Sequence, residues 1–214
     1  NPLVEGFCRA SADAHYDCDY DKVLPIVIHG DAAVAGQGIV YEVTQMANLK
    51  GYSTGGTIHF VINNQVGFTT DFEDARSAIY CTDVAKILDA PVFHVNGDDP
   101  EAVVFVSKMA AEFRQEFNKD VFVDMVCYRR NGHNESDEPR FTQPTLYANI
   151  TNHPNPREVY TQKLIKSGEI EAKLAEQMDA EFKAELQARL DMVKQKVRPP
   201  YIPLKLDNRW SLLR

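Results

Sequence analysis

Two short runs in this chain offer oxygen ligands of different kinds. Gly30-Asp31-Ala32-Ala33 follows the apolar stretch Leu24-Pro25-Ile26-Val27-Ile28-His29. Asn63-Asn64-Gln65-Val66-Gly67 follows Thr57-Ile58-His59-Phe60-Val61-Ile62, with Asp31 and Asn64 33 positions apart. Both apolar stretches read as buried strands, being short, β-branched and bounded by turn residues. In an open parallel sheet, neighbouring strands deliver their C-terminal loops to one edge, where ligands bind. A carboxylate and an amide oxygen would meet there. That is the chemistry of Mg²⁺, which takes one or two protein oxygens and fills its octahedron with phosphate oxygens and water.

The residues after Asp31 fit an anion. Ala32-Ala33-Val34-Ala35-Gly36-Gln37-Gly38 has small side chains where a ligand would approach the backbone, and a helical pattern follows through Ile39, Val40, Val43, Met46 and Leu49. A helix N-terminus carries unpaired N–H groups and a partial positive charge, which suits a diphosphate. Two commoner phosphate motifs fail. No lysine lies between Lys22 and Lys50 to complete a Walker loop, and Tyr41 stands where a dinucleotide fingerprint needs glycine or alanine. Taken singly, Gly-Asp after a strand and Asn-Asn beside Gly67 are also ordinary turn chemistry. It is their combination that points to a site.

In their wider setting these residues resemble the thiamine diphosphate motif of the decarboxylating component of 2-oxoglutarate dehydrogenase. The likeness runs through Asn63-Asn64-Gln65-Val66-Gly67-Phe68-Thr69-Thr70, Phe93-His94-Val95-Asn96-Gly97-Asp98-Asp99-Pro100-Glu101-Ala102-Val103, Cys127-Tyr128-Arg129-Arg130-Asn131-Gly132-His133-Asn134-Glu135 and Asp137-Glu138-Pro139. It is dense from about Leu24 to Gln143 and looser elsewhere. The resemblance implies that Asp31 and Asn64 bind Mg²⁺ through their side chains and Val66 through its main-chain carbonyl. It implies that Ala32 donates its N–H to the diphosphate. His133 matches a loop histidine lying against the diphosphate and is the candidate catalytic residue; the plainer alternative is a histidine that only hydrogen-bonds locally. Two positions depart from the broader pattern: Gly30-Asp31-Ala32 replaces Gly-Asp-Gly, and Val66 stands where isoleucine is common. A backbone ligand tolerates the second, and the first costs little if Ala32 keeps a negative φ. Arg76, Ser77 and Tyr80, in the loop after the metal motif, are expected to border the substrate channel, and His29, His59 and His94 to be packed structural histidines.

Composition sets bounds on these expectations. The chain has 214 residues, 44% hydrophobic, enough for one good core. A formal net charge of −8 argues against nucleic-acid binding, which needs a basic face. No apolar run reaches the ~18 residues of a membrane span. Cys8, Cys18, Cys81 and Cys127 form no CxxC pair and read as free thiols, and His15 between the first two lacks a fourth partner for a metal.

Strands are predicted near 24–29, 57–62, 91–95 and 121–128, with helices near 37–50, 82–89 and 99–118 between them. This alternation predicts an α/β fold, a mostly parallel sheet with helices on both faces. Residues 1–21, with Asp17, Asp19 and Asp21, read as a solvated connecting segment, and 22–150 as the diphosphate- and Mg²⁺-binding domain. A helical extension is expected over 151–198, with helices 156–167 and 169–196, and an exit linker over 199–214 after Arg198-Pro199-Pro200. Leu164, Ile170, Leu174, Met178, Phe182 and Leu186 form a broken apolar stripe, expected to pack as core in preference to a partner face.

The resemblance also implies more than the chain contains. The family clamps thiamine diphosphate between this domain and a second, pyrimidine-binding one, which nothing here matches; Asn1-Pro2-Leu3-Val4 itself resembles the middle of a longer sequence. The expected parent decarboxylates 2-oxoglutarate, passes succinyl to a lipoyl-bearing succinyltransferase core, and works as a homodimer. The 214-residue chain alone is expected to be inactive. Alternatives are a parent acting on a related 2-oxo acid such as 2-oxoadipate, and a non-catalytic interaction fragment. Bacterial cytosol and mitochondrial matrix both suit the family.

Overall fold

A computed structural model describes residues 1–195, so Arg198-Pro199-Pro200 and the expected exit linker lie outside the described residues. The chain divides into a unit spanning Asn1–Tyr160 and a second beginning at Thr161.

Four strands form the central sheet of the first unit: β1 (Ile26–Gly30), β2 (Ile58–Asn63), β5 (Val92–Asn96) and β6 (Val121–Val126). Their order is β1-β2-β6-β5, and every pairing is parallel. The central strand β6 begins Val121-Phe122-Val123, all fully buried, as expected of a strand covered on both faces. A two-residue pair, β3 (Val66–Gly67) and β4 (Thr70–Asp71), forms a hairpin beyond the end of β2.

One sheet face is covered by α2 (Asp31–Gly36), α3 (Gly38–Met46) and a 3₁₀ segment, Cys81–Leu88. Val34, Val40, Val61, Cys81, Val84, Ala85 and Phe122 pack together there. The other face carries α5 (Pro100–Phe117), over Ile58, Val95, Ala110, Val121 and Val123. This helix begins as its sequence predicts: Asp99 accepts a hydrogen bond from Ala102 N–H (3.1 Å) ahead of Pro100, and it ends at Asn118 with φ +51°. Coverage is incomplete, because α5 leaves β1 bare. Val27 and His29 are buried, while Ile26 and Ile28 on the opposite side remain 50% and 70% exposed.

Residues 1–21 differ from the expected connecting segment. They contain α1 (Pro2–His15), whose buried residues are only Cys8 and Ala12, while Leu3 and Phe7 face outward. With such small residues on the inner side there is no apolar stripe to betray the helix. Polar contacts hold it instead. The Glu5 carboxylate accepts from the hydroxyls of Thr54 and Thr57, both at 2.8 Å, and Arg9 donates to Ser53 O at 3.2 Å. Nearby, Arg114 is fully buried and donates to the carbonyls of Gly56, Tyr20, Val23 and Thr54 at 2.9–3.0 Å. Gly56, at φ +91°, brings its backbone so close to Lys119 that a Cβ would lie 2.4 Å from the Lys119 carbonyl oxygen.

The remaining α-helices among the described residues are α4 (Phe72–Ala75), α6 (Pro144–Asn152), α7 (Pro156–Ser167) and α8 (Ala172–Lys194). Of the stripe expected to be core, Leu174, Met178, Phe182 and Leu186 are 47–60% exposed. Their i, i+4 spacing makes a continuous ridge on α8, yet that ridge is open. No helix among the described residues is long and apolar enough to cross a membrane, and all four cysteines are free.

Candidate functional site

Asp31 is the first residue of α2, immediately after β1, and is only 2% exposed. Parallel pairing of Gly30 with Ile62 brings the end of β2 to the same edge. The two asparagines there diverge. Asn63 turns inward, donating from Nδ2 to Asp124 Oδ1 at 3.0 Å, while its buried Oδ1 has no partner. Asn64 enters the loop, where its Oδ1 accepts from Val66 N–H at 3.3 Å. Gln65 adopts φ +64° and donates from Nε2 to Cys127 O (2.8 Å), tying the turn to the segment just past β6.

The chain then folds back onto α2. A Cβ at Gly67 would lie 2.8 Å from the Ala32 Cβ, so only glycine lets the Asn64–Gly67 turn settle against the helix that Asp31 opens. Thus Asp31, Ala32, Asn64 and Val66 are brought to one edge, as their sequence positions predict. One expectation changes: Ala32 to Gly36, read as a stretch before a helix, are helical themselves.

Burial raises the Asp31 pKa, opposed by the Arg76 guanidinium and by the backbone N–H groups of Asp31 and Ala32. Arg76 Nη1 stands 3.6 Å from Asp31 Oδ2, and its side chain is 9% exposed. Its position is more specific than the channel border expected from sequence. Tyr80, in the same loop, lies against His94, ring centroids 4.5 Å apart.

His133 is exposed, and its ring meets that of Phe68 at 4.9 Å, just beyond Gly67. Its loop is built to stay there. His133 N–H donates to Asp137 Oδ2 (2.8 Å), and Arg129 donates to Phe68 O (2.8 Å) and to the Tyr147 hydroxyl (3.0 Å). Gln143 adds a bond to Thr69 O at 3.1 Å. The helix α6, which carries the buried Tyr147, was not predicted; its only signals are Pro144 in the first turn and Tyr147 and Ile150 spaced three apart.

Two buried polar chains run through the sheet, the first beneath this edge and the second reaching the opposite end at Asp120. Asp124, in β6, is 1% exposed and engages Asn63 and, through Oδ2, His94 Nδ1 at 2.9 Å. His94 therefore departs from the packed histidine expected: β5 is an edge strand, so its side chain is 40% exposed and held by one nitrogen only. The lone carboxylate within Val121-Phe122-Val123-Asp124-Met125-Val126 was the available signal. In the second chain, His29 Nε2 lies 3.0 Å from His59 Nδ1, and His59 Nε2 lies 3.4 Å from Asp120 Oδ2. Both histidines are buried as expected, and burial, with His59 adding to it, pushes His29 down to about 4.

The donor set at the edge consists of a carboxylate, an amide oxygen and a backbone carbonyl, all hard oxygens suited to Mg²⁺. No cluster of three or more His, Cys, Asp or Glu suited to a metal occurs among the described residues. A cavity of about 260 Å³ lies at the opposite, N-terminal ends of the strands, lined in part by Glu5, Val43, Thr57 and Asp120. It is remote from Asp31.

The sequence pattern of the dehydrogenase E1 component matches residues 1–201. The chain is 50% identical over 208 residues to the 2-oxoglutarate dehydrogenase E1 component of Azotobacter vinelandii, covering 97% of this chain and 22% of that protein. It is 58% identical over 165 residues to the mitochondrial 2-oxoglutarate dehydrogenase of Dictyostelium discoideum, covering 77% of this chain and 16% of the relative. A multifunctional 2-oxoglutarate metabolism enzyme of Mycolicibacterium vanbaalenii is 50% identical over 198 residues, 91% of this chain and 16% of its own length. The chain thus spans 16–22% of the length of these relatives.

Proposed function

The chain belongs to the dehydrogenase E1 component family, and from that premise we propose that it anchors the diphosphate of thiamine diphosphate through Mg²⁺ in a 2-oxoglutarate dehydrogenase. The observation that carries this is the seating of the Asn64–Gly67 turn on Ala32, at the C-terminal ends of two neighbouring parallel strands. Asp31 and Asn64 would hold the ion by their side chains and Val66 by its carbonyl. Ala32 would offer its N–H to the diphosphate. Burial raises the pKa of Asp31 even with the Arg76 guanidinium beside it, so a divalent ion at this position relieves an existing cost.

When bound, thiamine diphosphate supplies the carbanion chemistry that decarboxylates a 2-oxo acid, while protein groups supply position and electrostatics. His133, presented on a braced loop beside Phe68, would hold or move a proton near the diphosphate. The parent protein would act on 2-oxoglutarate and pass succinyl to a lipoyl-bearing succinyltransferase core. A pyrimidine-binding domain, in a homodimer, would complete the site; the bare apolar side of β1 at Ile26 and Ile28 suits such a cover.

The experiment is a parallel assay of the full-length protein with 2-oxoglutarate and 2-oxoadipate. Mg²⁺-dependent turnover of 2-oxoglutarate that Asp31→Ala abolishes is expected, with the 214-residue chain inactive alone. Preference for 2-oxoadipate would move the substrate, and turnover by Asp31→Ala would remove the anchor. A second role, partner binding by α8, is supported by the exposure of Leu174, Met178, Phe182 and Leu186.

A further inference from the structure

Among the described residues, Arg114 and Arg76 have side chains no more than 9% exposed, and they are treated very differently. Arg114 has its donors spent on four backbone carbonyls within 3.0 Å, which is how a structural arginine is satisfied here. Arg76, with 9% of its side chain exposed, leaves Nε and Nη1 buried without any hydrogen-bond partner. Its ion pair with Asp31, at 3.6 Å, is too long to be a hydrogen bond, and Phe72 offers only a ring face 5.9 Å from the guanidinium centre. Buried N–H groups on a permanent cation are costly to leave unmade, the more so in a low-dielectric setting. If the pair were purely structural, a closer approach of the two groups would satisfy both. The guanidinium instead stands off the carboxylate with donors to spare.

We propose that Arg76 is an oxyanion-binding residue of this site, its Nε and Nη1 donating to a phosphoryl or carboxylate oxygen of a ligand held beside Asp31. The proposal rests on the anchoring role assigned above and extends it. A diphosphate brought against Asp31 meets a buried negative charge, and a metal ion alone must offset both. Arg76 adds a second cation that is always charged and already in place, so the anion is met from the protein side as well as through the metal. A substrate carboxylate would present the same oxygen chemistry to the same donors. The choice of arginine matters, because a lysine at position 76 keeps the charge but has a single nitrogen where the guanidinium has two orphaned ones.

The test is calorimetric titration of the full 214-residue chain with inorganic diphosphate at fixed Mg²⁺ and, separately, with 2-oxoglutarate. Arg76→Gln, Arg76→Lys and Asp31→Ala are compared, with circular dichroism confirming the fold of each. Arg76→Gln is expected to weaken diphosphate binding at least tenfold, and Arg76→Lys to recover only part of it. A loss confined to 2-oxoglutarate would support the same role with the substrate carboxylate as the source of the oxygen. Wild-type affinity of Arg76→Gln for both ligands would overturn the proposal; if Asp31→Ala still abolished the Mg²⁺-dependent binding, the anchor would stand without it. No saturable binding by the wild-type chain would overturn both. Should Arg76→Gln not fold, Arg76→Lys decides, and unchanged affinity in that variant overturns the proposal.

Discussion

Gly67→Ala isolates the contact on which the site geometry depends. Gly67 has no positive φ, so an alanine there is not strained by its backbone; the added Cβ simply lies 2.8 Å from the Ala32 Cβ. Carbon atoms are comfortable at about 3.5–4.0 Å, so the Asn64–Gly67 turn and α2 must separate by roughly 1 Å. Overpacking of this size costs about 1–3 kcal/mol. The same displacement moves Asn64 and the Val66 carbonyl away from Asp31, so Mg²⁺-dependent diphosphate binding should fall with stability. Ala32→Gly removes the other half of the clash at a helix-propensity cost of about 1 kcal/mol. The double variant should then be no less stable than Ala32→Gly alone, giving a coupling of about 1–3 kcal/mol between the two positions. Urea unfolding of the four proteins measures this. Additivity to within about 0.5 kcal/mol would refute the close approach.

Other tests address the scaffold. His29 sits below the usual histidine pKa, at about 4, so folding excludes its charged form. Its stabilising contribution is present above about pH 6.5 and is lost as pH falls from there toward 4, up to about 3 kcal/mol in full and about 1–2 after solvent screening. His29→Gln should flatten that part of the stability profile measured by denaturant midpoints; an unchanged slope would contradict the origin assigned. Arg114→Met leaves four carbonyls without their donor. It should cost at least about 3 kcal/mol in urea unfolding, and a loss below about 1 kcal/mol would show that water replaces the guanidinium.

The sheet, and the two loops that meet at its edge, were readable because they rest on local chemistry. Apolar β-branched runs end in Gly-Asp and Asn-Asn, and the Asp99-Pro100 cap opens α5 where expected. What escaped were features set by tertiary position. The inner side of α1 is made of Cys8 and Ala12, too small to register as an apolar stripe. The exposure of His94 follows from β5 lying at the sheet edge, which strand sequence does not encode. Arg76 reaches Asp31 across 45 positions of chain, and the residue type gives no hint of that partner. The α8 stripe has helical spacing suited to a core, but spacing does not say whether anything covers it.

The central claim is that this chain holds a diphosphate through a Mg²⁺ ion at Asp31 and Asn64. The most direct measurement is a thermal-shift titration with thiamine diphosphate, with and without Mg²⁺, on the wild-type chain and Asp31→Ala. A ligand at one hundred times its dissociation constant stabilises by about 2.7 kcal/mol. A Mg²⁺-dependent shift that thiamine without its diphosphate fails to reproduce, and that Asp31→Ala loses, is the expected result. A shift independent of Mg²⁺, or one retained by Asp31→Ala, would contradict the assignment.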